Sequence, residues 1–212
     1  MWKFAVQQNK IRIGKVEVGG RPGESPTVLI GSIFYQRQKR LGFSDDDGSF
    51  NRAECEKLVN SQDALSDKTG LPCMLDVVLQ SEKWIGPVVD FVASVTEAPI
   101  LLDGVSTRVR LAALDHMEKA GLRGRCVYNS FSPESKEAEF ERAKETGLEA
   151  AVLLAYDRRD MTSKGRLAAI RRLSLEATEH GVTKGLADAC VLDVPTLGVA
   201  FKTIFDVKNE LG

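Results

Sequence analysis

Six polar side chains fall where apolar runs of β-branched character give way to helical stretches: Asp76, Asp103, Asn129, Asp157, Asp188 and Asp193. Carboxylates and an amide accept hydrogen bonds, so several of them around one mouth suit a ligand that carries many N–H donors. Each taken singly has a plain role in a turn or as a helix cap. Their recurrence at the end of every strand–helix unit from the second to the sixth is what makes them candidates for one site. The absences narrow the chemistry further. No lysine ends a strand, as a Schiff-base enzyme requires, and Ser32 and Ser130 have no histidine partner in view. The two histidines, His116 on the inner stripe of a helix and His180 at a helix end, lack a further ligand at metal spacing, so no bound metal is expected. With neither metal nor nucleophile on the chain, the ligand itself must be the reactive species.

The elements that position these residues can be read from periodicity. Ile11 to Val18 alternates apolar and polar residues and ends at Gly19-Gly20, the pattern of a half-solvated hairpin. Apolar runs follow at Thr27–Tyr35, Pro72–Leu79, Pro99–Val105, Arg125–Phe131, Ala150–Tyr156 and Gly185–Val194. Helices are predicted between them. The first runs from a capping box at Asn51 and Glu54 to Gly70, with Cys55, Leu58, Val59, Gln62 and Leu65 on its inner face. The second follows Ser81 and the third Ser106. The fourth takes Ser132 as N-cap and Pro133 as first helical residue and stops at Gly147, the fifth lies between Thr162 and Gly181, and the last begins near Thr196.

Strands that are apolar throughout, alternating with helices, imply a parallel sheet covered by its crossovers. An open doubly wound sheet and a (β/α)₈ barrel both meet that description. Nothing like GxGxxG follows the first strand, because the glycine-rich Gly19-Gly20-Arg21-Pro22-Gly23 precedes it. A barrel is therefore expected: residues 1–26 as an N-terminal hairpin closing the bottom, and residues 27–212 as an incomplete barrel with about six of eight βα units.

The 212 residues are 43% hydrophobic and 28% charged, with 29 basic and 30 acidic side chains. That composition offers a large core and no global attraction to phosphate backbones. No apolar run is long enough to span a bilayer, and the opening Met1-Trp2-Lys3-Phe4 lacks the features of a secretion signal. Cys55, Cys73, Cys126 and Cys190 form no CxxC pair and are expected as buried reduced thiols, as in a cytoplasmic protein.

Several segments resemble one family. Val18-Gly-Gly-Arg-Pro-Gly-Glu-Ser-Pro-Thr-Val-Leu-Ile-Gly-Ser-Ile-Phe-Tyr35 is similar to the opening of the tetrahydromethanopterin S-methyltransferase H subunits and of the methyltetrahydrofolate:corrinoid methyltransferases. Asp76-Val77, Ala98-Pro99-Ile-Leu-Leu-Asp103, Val127-Tyr-Asn-Ser130, Ala151-Val-Leu-Leu-Ala155 and Val191-Leu-Asp-Val-Pro195 extend the match along the chain. The resemblance implies a pterin-binding TIM barrel. It also implies transfer of the N5-methyl group between a methyl-tetrahydropterin, either tetrahydromethanopterin or tetrahydrofolate, and the cobalt of a corrinoid, in one-carbon metabolism or methanogenesis.

By the same resemblance Asp103, Asn129 and Asp188 match pterin-contacting positions. Asp76 is a weaker match, and Asp157 and Asp193 are outer members of the ring. Asn129 and Asp103 are the expected catalytic pair. No D-x-H-x-x-G signature is present, the nearest text being Asp115-His116-Met117, so the cobalamin is expected on a separate corrinoid protein. Further implied are a homodimer, other components of a methyltransferase complex, and a cytoplasmic location or one peripheral to a membrane complex. A non-catalytic pterin- or partner-binding subunit is the alternative. Two loop positions depart from the family: Gln38 in place of a histidine, and Leu79-Gln80 in place of Gly-Glu. The basic residues Arg158, Arg159, Lys164, Arg166, Arg171 and Arg172 are expected as a solvated helix face. With only six units, the sheet is expected to be left open, by truncation or for completion by a partner, and the last helix, with Phe201, Ile204, Phe205 and Leu211, to lack neighbours.

Overall fold

A computed structural model describes residues 3–35, 38–44 and 48–212, so Met1 and Trp2 of the opening segment lie outside the described residues. The hairpin is present as β1 (Lys10–Ile13) and β2 (Val16–Gly19), paired antiparallel. Six parallel strands follow: β3 (Leu29–Ile33), β4 (Cys73–Leu79), β5 (Ile100–Gly104), β6 (Cys126–Phe131), β7 (Ala150–Leu154) and β8 (Lys184–Asp188). The helices after them are α1 (Arg52–Thr69), α2 (Ile85–Val95), α3 (Thr107–Lys119), α4 (Glu137–Glu145), α5 (Ser163–Glu179) and α6 (Leu197–Glu210). The sheet order is β3-β4-β5-β6-β7-β8, each strand beside its sequence neighbour. A doubly wound sheet reverses its order at a switch point, whereas a barrel never does, so this order belongs to the barrel type.

Local signals fix most boundaries. Asn51 Oδ1 accepts the Glu54 N–H at 3.2 Å at the start of α1, and Gly70, with φ of 70°, ends it by donating to Ser66 O at 2.8 Å. Ser106 caps α3 by accepting from Val109 N, and Thr162 caps α5 by accepting from Gly165 N. α4 differs from expectation. Ser132-Pro133-Glu134-Ser135 forms a separate turn, and the helix starts at Glu137, where Glu139 accepts the Lys136 N–H at 3.1 Å.

Side chains alternate across each strand and so sort into two layers. Leu75, Val77, Leu102, Tyr128 and Leu153 face the helices and are buried against Val88, Val92, Leu114, Met117, Phe140 and Leu173. On the other face Met74, Leu101, Val127, Ala150 and Val152 pack with Ile13 and Val16 of the hairpin, and Gly14 N–H donates to Gly124 O at 3.0 Å. Fully burying each such aliphatic side chain contributes about 1.5–3 kcal/mol.

Some expected core positions are exposed. Leu58 and Leu65 of α1 stand in solvent with Leu29 and Ile30 of β3, around a groove of about 480 Å³. β3 is the terminal strand of the sheet, and among the described residues no element packs on its outer side. The last helix, by contrast, has neighbours. α6 packs on α5, Phe205 meets Phe4 at 5.6 Å between ring centres, Ala5 N–H donates to Asn209 Oδ1 at 3.1 Å, and Lys208 Nζ donates to Gly20 O at 2.8 Å. Of its large apolar side chains, Leu197, Phe201 and Ile204 are exposed. All four cysteines are free and buried, and burial pushes the Cys55 and Cys126 thiols up to about 11 and about 12. Among the described residues, no helix is long and apolar enough to cross a membrane.

Candidate functional site

The strand alternation that points Met74, Leu101 and Val127 into the inner layer carries Asp76, Asp103 and Asn129, each two residues further on, to the next level of the same face. Pairing aligns them: Ser32 lies opposite Asp76 between β3 and β4, and Asp103 opposite Asn129 between β5 and β6. Ser32 Oγ donates to Asp76 Oδ2 at 2.8 Å, and Asn129 Nδ2 donates to Asp76 Oδ1 at 3.1 Å. Asp76 is buried, with both carboxylate oxygens engaged by neighbours. In the sequence Ser32 stands out only as a nucleophile without a partner; its place beside Asp76 follows from strand register, which the sequence shows only once the pairing is known.

Asp103 is half-buried on the same face, and burial together with the nearby Asp76 charge raises its carboxyl to about 6, against a smaller opposing pull from Arg110. Behind it lies a buried brace. Arg110 of α3 donates through Nη1 to Gly104 O at 3.1 Å, and through Nε to Tyr128 Oη at 3.0 Å and Glu139 Oε1 at 2.8 Å. Tyr128 donates a short bond to the same Glu139 oxygen, and Thr107 Oγ1 donates to Glu139 Oε2 at 3.2 Å. Burial pushes the Glu139 carboxyl up, but the bonds from Tyr128, Lys136 N and Arg110 outweigh it and leave the group below its ordinary value. The brace therefore anchors the residue after Asp103 and the residue before Asn129 to one guanidinium.

The other three acids are engaged locally. Asp157 lies in the loop after β7, where the Arg159 side chain and backbone N–H hold its carboxyl down at about 2. Asp188 ends β8 on the outer strand, exposed, and accepts the Cys190 N–H at 2.7 Å. Asp193 caps the single 3-10 turn Val194–Thr196 that leads into α6, accepting from Thr196 N at 3.0 Å. The basic cluster also divides: Arg159 is paired with Asp157 and Arg171 with Glu210, while Arg166 is not solvated at all. It is buried and donates to the carbonyls of Met161, Ala189 and Cys190.

Gln38 and Leu79, where the resemblance leads one to expect other residues, lie after β3 and at the end of β4. Gln38 Oε1 accepts the N–H of Phe34, the residue that follows β3, at 2.8 Å, and Phe34 adopts φ of 67°. Leu79 ends β4 and is buried toward the helices. His116, expected on an inner stripe, is half-buried at the flank of α3 and pairs with Asp90 at 2.7 Å. Among the described residues no three or more His, Cys, Asp or Glu side chains gather as metal ligands.

In fold the chain is similar to two solved dihydropteroate synthases at 14% identity. The Thermus thermophilus enzyme, in complex with 4-aminobenzoate, gives a TM-score of 0.52 over 93% of this chain and 71% of that one. The Xanthomonas albilineans enzyme, in complex with indole-2-carboxylic acid and 6-chloroguanine, gives 0.51 over 92% and 69%. In sequence it is 34% identical to the tetrahydromethanopterin S-methyltransferase H subunit of Methanopyrus kandleri, over 97% of this chain and 67% of that protein. It is 35% identical to the same subunit of Methanosarcina acetivorans, over 100% of this chain and 70% of that protein. The family model described as tetrahydromethanopterin S-methyltransferase MtrH subunit matches residues 6–212, and the chain belongs to that family.

Proposed function

We propose that this chain holds a methyl-tetrahydropterin against Asp103 and Asn129, with Asp188 at the outer strand, and presents its N5-methyl group for transfer to a corrinoid carried by a partner protein. The observation that carries this reading is Asp103: a half-buried carboxyl among acceptor groups, on the inner face of a barrel-type sheet, in a chain of the MtrH family. A pterin ring offers amino and N–H donors to such a carboxylate, and its partial burial strengthens each bond.

The chemical difficulty is the leaving group. When the N5–methyl bond breaks, its electron pair stays on N5, which needs a proton or a hydrogen-bond donor at that moment. A carboxyl near 6 is poised to hold or release a proton close to neutrality, which suits Asp103 to supply that proton, while the Asn129 amide orients the ring on the same face. The corrinoid supplies the cobalt nucleophile that accepts the methyl group. This chain's contribution is orientation and exclusion of water.

A second reading is a subunit that binds the pterin without turnover. The Asn129 amide favours it, because its Nδ2 already donates to Asp76 Oδ1 at 3.1 Å and is drawn away from a departing N5. Visible absorbance separates the two. Mixing the protein, tetrahydropterin and a methylated corrinoid protein is expected to convert the methyl-corrinoid spectrum to the demethylated one, and pterin binding with no spectral change establishes the second reading instead.

A further inference from the structure

Asp76 engages both of its oxygens within the protein, taking Ser32 Oγ at 2.8 Å and Asn129 Nδ2 at 3.1 Å, and it is buried. A carboxylate accepts hydrogen bonds and does not donate them, so the Asn129 amide can face it only through nitrogen. Flipping the amide would set Asn129 Oδ1 against Asp76 Oδ1, two acceptors in contact away from water, at a cost comparable to an unmade buried bond. Ser32 works one step further back. Its hydroxyl occupies the second oxygen of Asp76, which leaves the first directed at Asn129, and the direct pairing of Ser32 with Asp76 between β3 and β4 fixes that contact in the backbone. Three side chains on β3, β4 and β6 thus form one hydrogen-bonded chain across the strand ends.

We propose that Ser32 and Asp76 are positioning residues that set the hydrogen-bond polarity of Asn129, holding its Nδ2 inward and its Oδ1 as a fixed acceptor for a ring N–H of the ligand. Asp76 then acts through Asn129 and does not itself contact the ligand, which leaves Asp103 as the carboxylate of this group open to it. The consequence for recognition is directional. A ligand edge that places a donor opposite Asn129 Oδ1 is accepted, and one that places an acceptor there is rejected. This inference rests on the pterin reading for the identity of the ligand, but the orientation of the amide in the free protein does not depend on it.

The test has two arms on the whole chain. In the free protein, the side-chain amide protons of Asn129 are followed by nitrogen-15 NMR. Slow exchange of one amide proton is expected, lost in Asp76→Ala, reduced in Ser32→Ala and restored in Ser32→Thr. Equal exchange in all four proteins overturns the positioning role. The second arm is a double-mutant cycle read by calorimetry with tetrahydropterin. Asn129→Ala is expected to weaken binding about 10-fold and Asp76→Asn about 5-fold, but Asp76→Asn added to Asn129→Ala by less than about 2-fold. Full additivity shows that Asp76 touches the ligand directly and overturns the proposal. Wild-type protein that binds no tetrahydropterin defeats the pterin reading alone, and the NMR arm still decides the positioning.

Discussion

Arg110 of α3 donates at 2.8 Å to the fully buried carboxylate of Glu139 on α4, and the same guanidinium holds Gly104 O, one residue beyond Asp103. One side chain thereby joins the ends of two strands and two helices directly behind the candidate site. A buried ion pair adds little net stability over an apolar replacement, but losing one partner leaves the other charged and unpaired.

Arg110→Met is accordingly expected to destabilise the protein by about 3–5 kcal/mol, and the double replacement Arg110→Met with Glu139→Leu by clearly less. Urea unfolding measures both. A single replacement that costs under about 1 kcal/mol would show that the brace does not carry the strand ends.

Gly104 faces the same guanidinium. A Cβ there would lie 2.5 Å from Arg110 Cγ and 2.8 Å from Arg110 N, so Gly104→Ala must push the first turn of α3 off β5. A loss of about 1–3 kcal/mol is expected, with a lower melting temperature as the readout. An unchanged melting temperature would contradict the close approach.

The raised Asp103 carboxyl gives a signed pH dependence. Because its folded value, about 6, lies above the unfolded value, its relative stabilisation is fully present below about 4 and is lost as the pH rises through about 6. Compared with Asp103→Asn, the wild type should lose stability across that window and run parallel above it. Ligand affinity has the opposite sign: an ionised Asp103 accepts ring N–H donors, so tetrahydropterin affinity should rise through the same window and level off. Parallel stability curves from about pH 4 to about pH 8 would show an unshifted carboxyl.

Asp193 belongs to the fold. Asp193→Ala removes the cap of the turn before α6 and is expected to cost about 1 kcal/mol of stability while leaving tetrahydropterin affinity unchanged. A calorimetric titration in which this variant loses affinity would bring Asp193 back into the ring.

The parts legible in the sequence are those fixed by neighbours in the chain. Asn51, Glu54 and Gly70 bound α1 because capping and left-handed glycine act within a turn, and the apolar runs give the strands because buried parallel strands carry no alternation. Asp76, Asp103 and Asn129 come to one face for the same reason, since equal spacing past the last inner apolar residue survives folding. The start of α4 is not legible in this way: Ser132-Pro133 is a sound local signal for a helix, whereas Glu139 answers to Arg110 and Tyr128 from other elements. The exposure of Leu58 and Leu65 depends on which strand ends the sheet, and no helical periodicity encodes that. Ser32 is invisible as a positioning residue because a strand serine has no pattern of its own. Its role exists only in register with Asp76.

The most direct measurement is calorimetric titration of a methyl-tetrahydropterin into the purified chain and into its Asp103→Ala and Asn129→Ala variants. Expected is saturable one-site binding by the wild type, weakened about 10-fold or more in each variant by the loss of a ring contact. Absence of binding by the wild type, or equal affinity in all three proteins, would contradict a pterin site at these strand ends.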